Sequence, residues 1–445
     1  MIIAGLALTL LTPSSNSPAG LAASQAKTSV SKLILIVLVA LAIRLVVMYF
    51  LLPEQLSPER NHWHFGYEAG KIGASIADGR GFSSPLFDDT GPTAWMTPVY
   101  PYLIAGVFKM FGVYSTASAI VLLSLNALMS ALVCITVFFI ARMGFGDRTA
   151  KWSAWAWAFC PYGIYFPVER IWETWLSTLL LSLLFLLTLQ LKEDDCLWKW
   201  APYGLLWAVA ALTSSAVLIV LPFLGAWIIW QRSRRKKRWL LKSSVAAGAF
   251  LILIAPWFIR NFEVFHRFIP FRDNMGLVLK LGTRGEGDYW GQYQLGPWHN
   301  DREWNDFKRL GELDYMDQKK REAVDFIRAN PAWYIWTSLR RAVFLWTGYW
   351  SFDREYLKQE PLDPANIFFC STLTLFALVG VWRAWRADRA TALPYAIMLF
   401  VFPLIYYITS PEVYYRRPVD PFFVILAMVA VASASRKKTA LRPSL

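Results

Sequence analysis

Long apolar stretches dominate this chain, and each is close to the length that a helix needs to cross a membrane. A bilayer core is about 30 Å thick, so a spanning helix requires about 20 apolar residues. Of the 445 residues, 56% are hydrophobic and 17% are charged, which excludes an ordinary soluble enzyme. We therefore predict an all-α integral membrane protein, a polytopic bundle of about ten transmembrane helices within a range of roughly nine to twelve. The stretches lie at 33–52, 116–141, 150–167, 172–191, 200–213, 215–231, 240–258, 365–382, 391–408 and 420–435.

The positive charge of the chain is concentrated in short segments between the apolar stretches. The formal net charge is +14. Such segments lie in the cytoplasm under the positive-inside rule, so this interpretation is preferred to a nucleic-acid surface, and no nucleic-acid partner is predicted. Both termini then lie in the cytoplasm, and two large segments, 53–115 and 259–364, lie on the outer face. The basic residues are Arg142, Arg148 and Lys151, the run at 232–238, Arg383, Arg386 and Arg389, and Arg436, Lys437 and Lys438.

The chain is predicted to form a single transmembrane domain at 27–435. Residues 1–26 are interpreted as a disordered leader, and residues 436–445 as a basic cytoplasmic tail. Within the outer segments we expect juxtamembrane helices, which are too short or too charged to span a bilayer. They lie at 98–112, 316–329 and 333–350.

The cysteines and histidines show no metal-binding pattern. The four cysteines lack a C-x-x-C spacing, and His62 and His64 stand two residues apart, which does not place them on one helix face. The sequence also has no Gly-rich phosphate loop and no G-x-S-x-G elbow. We predict no cofactor and no metal site from these residues, and we leave a requirement for a divalent metal open.

Two acidic residues lie close to predicted membrane boundaries. Glu68 stands in the first outer segment, where a solvated surface carboxylate is the alternative to a functional acid. Glu173 is predicted about one turn inside an otherwise apolar helix, with Arg170 as its partner three residues away. An ionisable residue within a membrane indicates a functional site, although a structural ion pair is an equal alternative.

Cations are also concentrated at the predicted outer interface. An arginine there can hold a phosphate through two parallel hydrogen bonds, and it can equally extend towards lipid headgroups. Outward carboxylates and arginines together suit a reaction on a lipid phosphate, in which a carboxylate takes a proton and cations stabilise the leaving phosphate. The cations are Arg260, Arg267, Arg272, Lys280, Arg416 and Arg417.

The order of these motifs resembles the GT-C superfamily of membrane glycosyltransferases. The similarity is to bacterial relatives of the protein O-mannosyltransferases in glycosyltransferase family 39, and it extends from about residue 33 to 435. It rests on an arginine in the first span, acidic and aromatic motifs in the first outer segment, and later basic motifs. These are Arg44, ADGRGF at 77–82, GPTAWMTPVYPYLIAGVFKMFG at 91–112, ERIWET at 169–174, APWFIRNF at 255–262, GELDYMDQKKREAVDFIRANP at 311–331 and YYRRPVDP at 414–421.

The resemblance implies roles for particular residues. Glu68 matches the acid that activates the acceptor, with Asp88 and Asp89 in the same segment as alternatives. Glu173 matches the acid at the start of the fourth span, and it would orient the acceptor or the base. The donor phosphate would be held by Arg260 and by Arg416, which matches the second arginine of the family's R-Y-R-x-P pattern. Arg417 and Lys280 are further candidates for the same role.

The resemblance also implies an activity. The protein would transfer a sugar, with inversion, from a polyprenyl-phosphate donor to an acceptor on the outer face of a bacterial cytoplasmic membrane. A transporter or flippase of lipid-linked saccharides is one alternative, although the hydropathy shows no inverted repeat. A non-catalytic scaffold of the cell envelope is another. The acceptor class, whether protein, lipid A, polysaccharide or another lipid, stays open, as does the sugar.

Overall fold

A computed structural model describes residues 19–55, 65–283, 295–352, 354–359, 363–409 and 413–440. Within these residues the regular structure is helical, apart from an isolated β-bridge between Ser83 and Pro92. The α-helices are α1 (Ala19–Gln55), α2 (Glu68–Ala77), α3 (Val99–Phe111), α4 (Thr116–Phe145), α5 (Asp147–Ala158), α6 (Pro161–Glu169), α7 (Thr174–Leu191), α8 (Trp200–Thr213), α9 (Leu221–Arg234), α10 (Leu240–Phe265), α11 (Met275–Leu281), α12 (Asp301–Leu310), α13 (Glu312–Ala329), α14 (Pro331–Thr347), α15 (Arg354–Gln359), α16 (Asp363–Ala387), α17 (Arg389–Phe400), α18 (Leu404–Ile408) and α19 (Asp420–Ala440). Short 3-10 helices occur at Leu197–Lys199, Ser215–Val220 and Val413–Val419.

In the described part of the chain, seven helical segments are long and apolar enough to cross a membrane. The other predicted stretches are also helical, but they are divided, short or charged at one end. The stretch at 150–167 is divided between α5 and α6, because Pro161 cannot donate a backbone hydrogen bond and restricts the residue before it. The seven are Ser31–Leu52, Thr116–Phe145, Thr174–Leu191, Ser215–Arg234, Leu240–Phe265, Pro364–Ala387 and Arg389–Ile408.

Helices extend past both ends of the predicted domain. The first helix begins at Ala19, within the predicted leader, because the following residues are rich in alanine and contain no proline. The last helix continues to Ala440, within the predicted tail. The rest of the leader, at 1–18, and of the tail, at 441–445, lies outside the described residues.

The spanning helices pack closely where small residues meet. Gly204 of α8 faces the backbone of α10, and a Cβ at that position would overlap with the carbonyl of Ala246. Gly380 of α16 lies in the same way against the carbonyl of Leu426 in α19. Small residues allow two helix backbones to approach, which maximises van der Waals contact in a lipid environment.

Arg44 is buried among the first helices. Its Nε donates to Ser130 Oγ at 3.0 Å, and one Nη donates to the carbonyls of Ala40 and Ala158 at 2.8 and 3.2 Å. These bonds satisfy a buried cation and join α1 to α4 and α5. The motif residue Arg44 therefore has a structural role in the bundle.

A second hydrophobic core lies among the outer helices. α2 packs on α3, and buried side chains of both helices join residues of α4, α10, α12 and α13. The predicted segments at 98–112, 316–329 and 333–350 are confirmed as helical, in α3, α13 and α14. This core joins the two predicted outer segments to α4 and α10.

Candidate functional site

A cavity of about 460 Å³ lies where the outer segments meet the spanning helices. Its wall includes the start of α2, the link between α6 and α7, the break after α8, residues of the 270–281 segment, Trp298, and residues around α18. These segments are far apart in the sequence. They come together only when the chain folds.

Glu68 is the first residue of α2 and lines the cavity. Trp298 Nε1 donates a hydrogen bond of 3.1 Å to Oε1 of Glu68. Burial raises the pKa of Glu68 to about 7, although this hydrogen bond and the charge of Arg272 act in the opposite direction. A carboxyl group with a pKa near neutrality can exchange a proton at physiological pH, as a general base must.

The backbone before Glu68 lies close to the link between α6 and α7. Gly66 has a φ of +77°, and a Cβ on it would stand 2.5 Å from the carbonyl oxygen of Ile171. Only glycine fits this conformation and this close approach. The contact places the start of α2 beside the link that leads to Glu173.

Glu173 stands directly before α7, which begins at Thr174, so the prediction that it lies one turn inside a helix is wrong. The chain is extended at Arg170, with φ −135° and ψ 138°, so the helical spacing assumed for the Arg170–Glu173 pair does not exist. Instead, Arg170 Nε donates to Glu169 Oε1 at 2.8 Å. Pro167 lies in the last turn of α6, and this helix ends at Glu169, before the predicted span begins.

The carboxyl group of Glu173 lines the same cavity as Glu68. Its Oε2 is buried and has no hydrogen-bond partner among the described residues. Burial raises the pKa of Glu173 to about 7, the charge of Arg272 lowers it, and the charge of Glu68 raises it. The two acids and Arg272 therefore form one electrostatic group.

Arg272 lines the cavity and influences both acids. Its Nε donates to Asn274 Oδ1 at 2.7 Å, which fixes the plane of the guanidinium. Arg272 was predicted from the sequence to be one of the outer cations but not a phosphate ligand. Nothing in the local sequence distinguishes it from Arg267, which is exposed and paired with Asp314 and Asp317.

Arg260 is not among the described residues that line the cavity. Its two Nη atoms donate to the carbonyls of Thr93 and Phe82 at 2.7 and 2.8 Å. The guanidinium also lies over the ring of Trp257. Because both Nη atoms donate to carbonyls of the first outer segment, Arg260 joins that segment to α10.

Arg416 and Arg417 are buried and paired with Asp420, the first residue of α19. Arg416 Nε donates to Asp420 Oδ1 at 2.8 Å, and Arg417 Nη1 donates to Oδ2 at 2.9 Å. Arg416 also donates to the carbonyl of Trp346 at 2.8 Å. Neither arginine is among the described residues that line the cavity, although Tyr415 and Pro418 are.

The other predicted residues also lie outside the described wall of the cavity. Lys280 Nζ pairs with Glu322 at 3.1 Å. Asp88 is exposed and lies 3.6 Å from Lys308. Asp89 accepts hydrogen bonds from Ser84 Oγ at 2.8 Å and from Gly91 N at 3.2 Å, which close its own loop.

Replacing Asp420 with Ala is expected to lower the stability of the protein by about 3–5 kcal/mol, because it leaves two buried guanidinium groups without their carboxylate. The measurement is the thermal unfolding midpoint of the protein in detergent. Asp147→Ala is the control, since Asp147 forms an exposed ion pair with Arg142. Equal midpoints for the two variants would contradict this account of Asp420.

Aromatic side chains form much of the remaining wall, and none of them was predicted from the sequence as a site residue. They suit a sugar ligand, because aromatic faces pack against the apolar faces of rings while their polar atoms stay available. Aromatic residues make up 16% of the chain, but that share does not single out these positions. They are Tyr67, Trp95, Trp172, Phe271, Trp298, Tyr406 and Tyr415.

No group of three or more His, Cys, Asp or Glu residues in the described ranges has a geometry that could hold a metal ion. The acids of the cavity, Glu68 and Glu173, act there with a cation and aromatic groups. A carboxyl group can transfer a proton there, and a cation can stabilise negative charge.

Two solved structures show what the fold is similar to. The Archaeoglobus fulgidus oligosaccharyltransferase in the apo form matches with a TM-score of 0.54 and 16% identity, over 94% of this chain and 52% of that one. ArnT from Cupriavidus metallidurans in the apo state matches with a TM-score of 0.52 and 15% identity, over 93% of this chain and 62% of that one. This chain thus spans about half to three fifths of the length of those proteins.

The fold defines the class of protein: this chain is a multi-pass membrane protein, and its fold is similar to that of the oligosaccharyltransferase and of ArnT. Within that class, residues 95–259 match the sequence profile of the family described as dolichyl-phosphate-mannose-protein mannosyltransferase. No curated protein sequence matches the chain. The matched region runs from Trp95 in the cavity wall to α10, and it includes Glu173.

Proposed function

We propose that this protein is a glycosyltransferase that moves a sugar from a polyprenyl-phosphate donor to an acceptor hydroxyl or amine within the described cavity. The observation that carries the proposal is the convergence of Glu68, Glu173 and Arg272 on one aromatic-lined cavity of about 460 Å³. The family match supports a lipid-phosphate sugar as the donor. Neither Glu68 nor Arg272 lies in the matched region. Their position in one cavity therefore supports the proposed function independently of the family match.

The proposed reaction is a single displacement. Glu68 in its carboxylate form takes the proton of the acceptor, and the acceptor heteroatom attacks the anomeric carbon from the face opposite the phosphate. The new bond to carbon forms as the bond from that carbon to the phosphate oxygen breaks, and the oxygen leaves with the electron pair. The configuration is inverted, and the proton resides on Glu68 until solvent removes it.

Arg272 is proposed to stabilise the leaving phosphate, in place of Arg260, Arg416, Arg417 and Lys280. Negative charge grows on the phosphate as the bond breaks, so a fixed cation in a partly dehydrated cavity stabilises the transition state more than the ground state. The bond from Arg272 to Asn274 holds this cation in place before the reaction begins.

Glu173 is proposed to orient a hydroxyl group of the acceptor or of the transferred sugar. Its Oε2 is buried and has no partner in the described part of the chain, so a ligand hydroxyl would satisfy it. Ser177 stands one helical turn further along α7, lines the same wall, and has a buried Oγ without a described partner. The two groups together offer a polar surface to a sugar.

We further propose that the cavity opens to the outer face of a bacterial cytoplasmic membrane and that both termini are cytoplasmic. The support is the distribution of basic residues in the sequence, with the run at 232–238 on the side opposite the outer segments. Membrane lipids are then the surroundings from which a polyprenyl-phosphate donor would enter.

A transfer assay in membranes tests the activity. Membranes containing the protein receive a panel of radiolabelled polyprenyl-phosphate sugars, and release of label from the lipid is compared with membranes that lack the protein. Protein-dependent release with retention of the lipid phosphate supports the transferase and identifies its donor. Label that crosses the bilayer still attached to its lipid would instead identify a transporter.

The rate of transfer is expected to rise about tenfold between pH 6 and pH 8, because Glu68 must be ionised to accept a proton and its pKa lies at about 7. Trp298→Phe removes a hydrogen bond that favours the ionised form, so the rise should move to higher pH in this variant. The measurement is the initial rate of label release against pH. Identical pH profiles for the wild type and Trp298→Phe would contradict the assignment of this rise in rate to Glu68.

A further inference from the structure

The backbone of Ala94 is held between two acidic residues from distant parts of the chain. Asp273 donates its backbone N–H to the carbonyl oxygen of Ala94 at 3.0 Å. Ala94 in turn donates its own N–H to Glu312 Oε1 at 2.6 Å. Thr93 Oγ1 donates to Glu312 Oε2 at 2.5 Å. These bonds form a junction between the Thr93–Trp95 segment, the 272–274 segment and the start of α13.

The carboxyl groups of Asp273 and Glu312 lie against each other at this junction, and neither forms an ion pair within the described residues. Both side-chain oxygens of Asp273 are inaccessible to solvent, and no donor group of the described residues reaches them, because their hydrogen-bonding neighbour is the Glu312 carboxyl, which is itself an acceptor unless it is protonated. Burial raises the pKa of both acids, and the charge of Asp273 raises that of Glu312 further. Two adjacent buried carboxylates repel each other strongly, and one proton between them removes the repulsion.

The junction connects two parts of the cavity wall. Trp95 follows Ala94 directly and lines the cavity, where its ring meets the ring of Trp298 at a centroid distance of 5.9 Å. On the other side, Arg272 and Asn274 flank Asp273 and also line the cavity. A displacement at the junction would therefore move Trp95 and Arg272 relative to each other.

We propose that Asp273 and Glu312 share one proton and act as positioning residues, which hold the Thr93–Trp95 segment against residues 272–274 in the cavity wall. The O–H of one carboxyl group donates to the carboxylate of the other, and no other bond changes. When the shared proton leaves at alkaline pH, the two anions separate and the junction loosens. The predicted effect on transfer rests on the proposed function, whereas the junction itself does not.

Charged groups from three sides surround the pair. Arg272, next to Asp273, favours its ionised form, and Asp317 of α13 opposes it. Arg260 of α10 interacts electrostatically with Glu312, and it donates a hydrogen bond of 2.7 Å to the carbonyl of Thr93. Because both arginines favour a negative charge on the pair, one proton rather than two is enough to remove the repulsion between the carboxylates.

The experiment measures amide hydrogen exchange in the peptide that contains residues 93–97, for the full-length protein in detergent at pH 7 and pH 9. After correction for intrinsic exchange, the wild type is expected to exchange about tenfold faster at pH 9 than at pH 7. Asp273→Asn supplies an N–H in place of the shared proton, so its ratio should stay within about twofold. Asp88→Asn, in an exposed acid of the same outer segment, should show the wild-type ratio.

A second pair of variants separates positioning from folding. Glu312→Ala removes both bonds to the segment and should lower the transfer rate by more than about tenfold, whereas Glu312→Gln, which retains an acceptor and a donor, should stay within about threefold. Loss of the shared proton should also lower the transfer rate of the wild type at alkaline pH, and this decline should be absent in Asp273→Asn. Unfolding midpoints of all variants are measured alongside.

The outcomes separate this inference from the proposed function. An Asp273→Asn protein with the wild-type exchange ratio would overturn the shared proton. Equal losses of transfer in Glu312→Ala and Glu312→Gln would overturn the positioning role. If the wild type itself releases no sugar, the proposed function fails, and hydrogen exchange still decides whether the junction responds to pH.

Discussion

Glu68→Gln is expected to lower the rate of sugar transfer by about 10²–10⁴-fold, the contribution that general base catalysis usually makes. Glutamine has nearly the same shape as glutamate and can still accept the hydrogen bond from Trp298 Nε1. It cannot take a proton from the acceptor, so the nucleophile remains in its weakly reactive form. The measurement is the release of labelled sugar in a single turnover, at pH 8 and with saturating donor.

The variant should be at least as stable as the wild type at pH 8. The ordinary pKa of the Glu68 carboxyl is 4.5, and burial raises it to about 7 in the folded protein. Ionisation therefore costs folding free energy once the pH exceeds the ordinary value, and this cost is complete above the folded pKa. Glutamine cannot ionise, so the variant does not have this cost. A loss of activity with an unchanged or higher unfolding midpoint would therefore show that the substitution affects catalysis and not folding.

Asp88→Asn and Asp89→Asn are the matched controls for Glu68→Gln. Both acids lie in the same outer segment, and both are exposed and engaged in local contacts. Each variant should transfer sugar within about twofold of the wild type, as surface changes usually do. If Glu68→Gln turns over normally and one of these variants does not, the base is the acid at that position.

Arg272→Gln is expected to lower the transfer rate by about 10²–10³-fold, which is the usual loss when one group that stabilises transition-state charge is removed. Gln keeps a polar side chain but removes the positive charge that faces Glu68 and Glu173. The loss should be greater in kcat than in KM, because charge develops on the phosphate as its bond to the sugar breaks. Steady-state rates against donor concentration provide both constants.

Arg267→Gln is the matched control for Arg272→Gln. The two arginines lie in the same segment after α10, but Arg267 is exposed and paired with Asp314 and Asp317. Arg272→Lys provides a third test, since it keeps the charge but not the planar group that Asn274 orients. Equal rates for Arg267→Gln and Arg272→Gln would contradict the role proposed for Arg272.

The sequence predicted the helical membrane architecture because that property is local. Spans such as 116–141 are recognisable from their own residues, since about 20 apolar residues in a row satisfy the bilayer requirement without reference to the rest of the chain. The helices of the outer segments were also predicted correctly, from length and charge pattern. The helix boundary at Glu173 was predicted less accurately, because helix ends depend on how neighbouring segments pack.

The sequence alone also brought Glu68 and Glu173 to attention, because acids beside membrane boundaries are rare and costly. Both line the cavity. It could not decide which cation accompanies them. Arg260, Arg416 and Arg272 have the same side-chain chemistry, and the family resemblance assigned a phosphate to the first two of them but not to Arg272.

Only the tertiary structure decided between these arginines, because the availability of a guanidinium depends on the groups that surround it. Arg416 is used by Asp420 and the carbonyl of Trp346, and Arg260 by carbonyls of the first outer segment. Arg272 lines the cavity, and among the described residues Asn274 engages only its Nε. The rest of this guanidinium is therefore available to a ligand. The sequence thus determined a helical membrane protein with two acids near its boundary, and long-range packing determined the cavity in which those acids meet one cation.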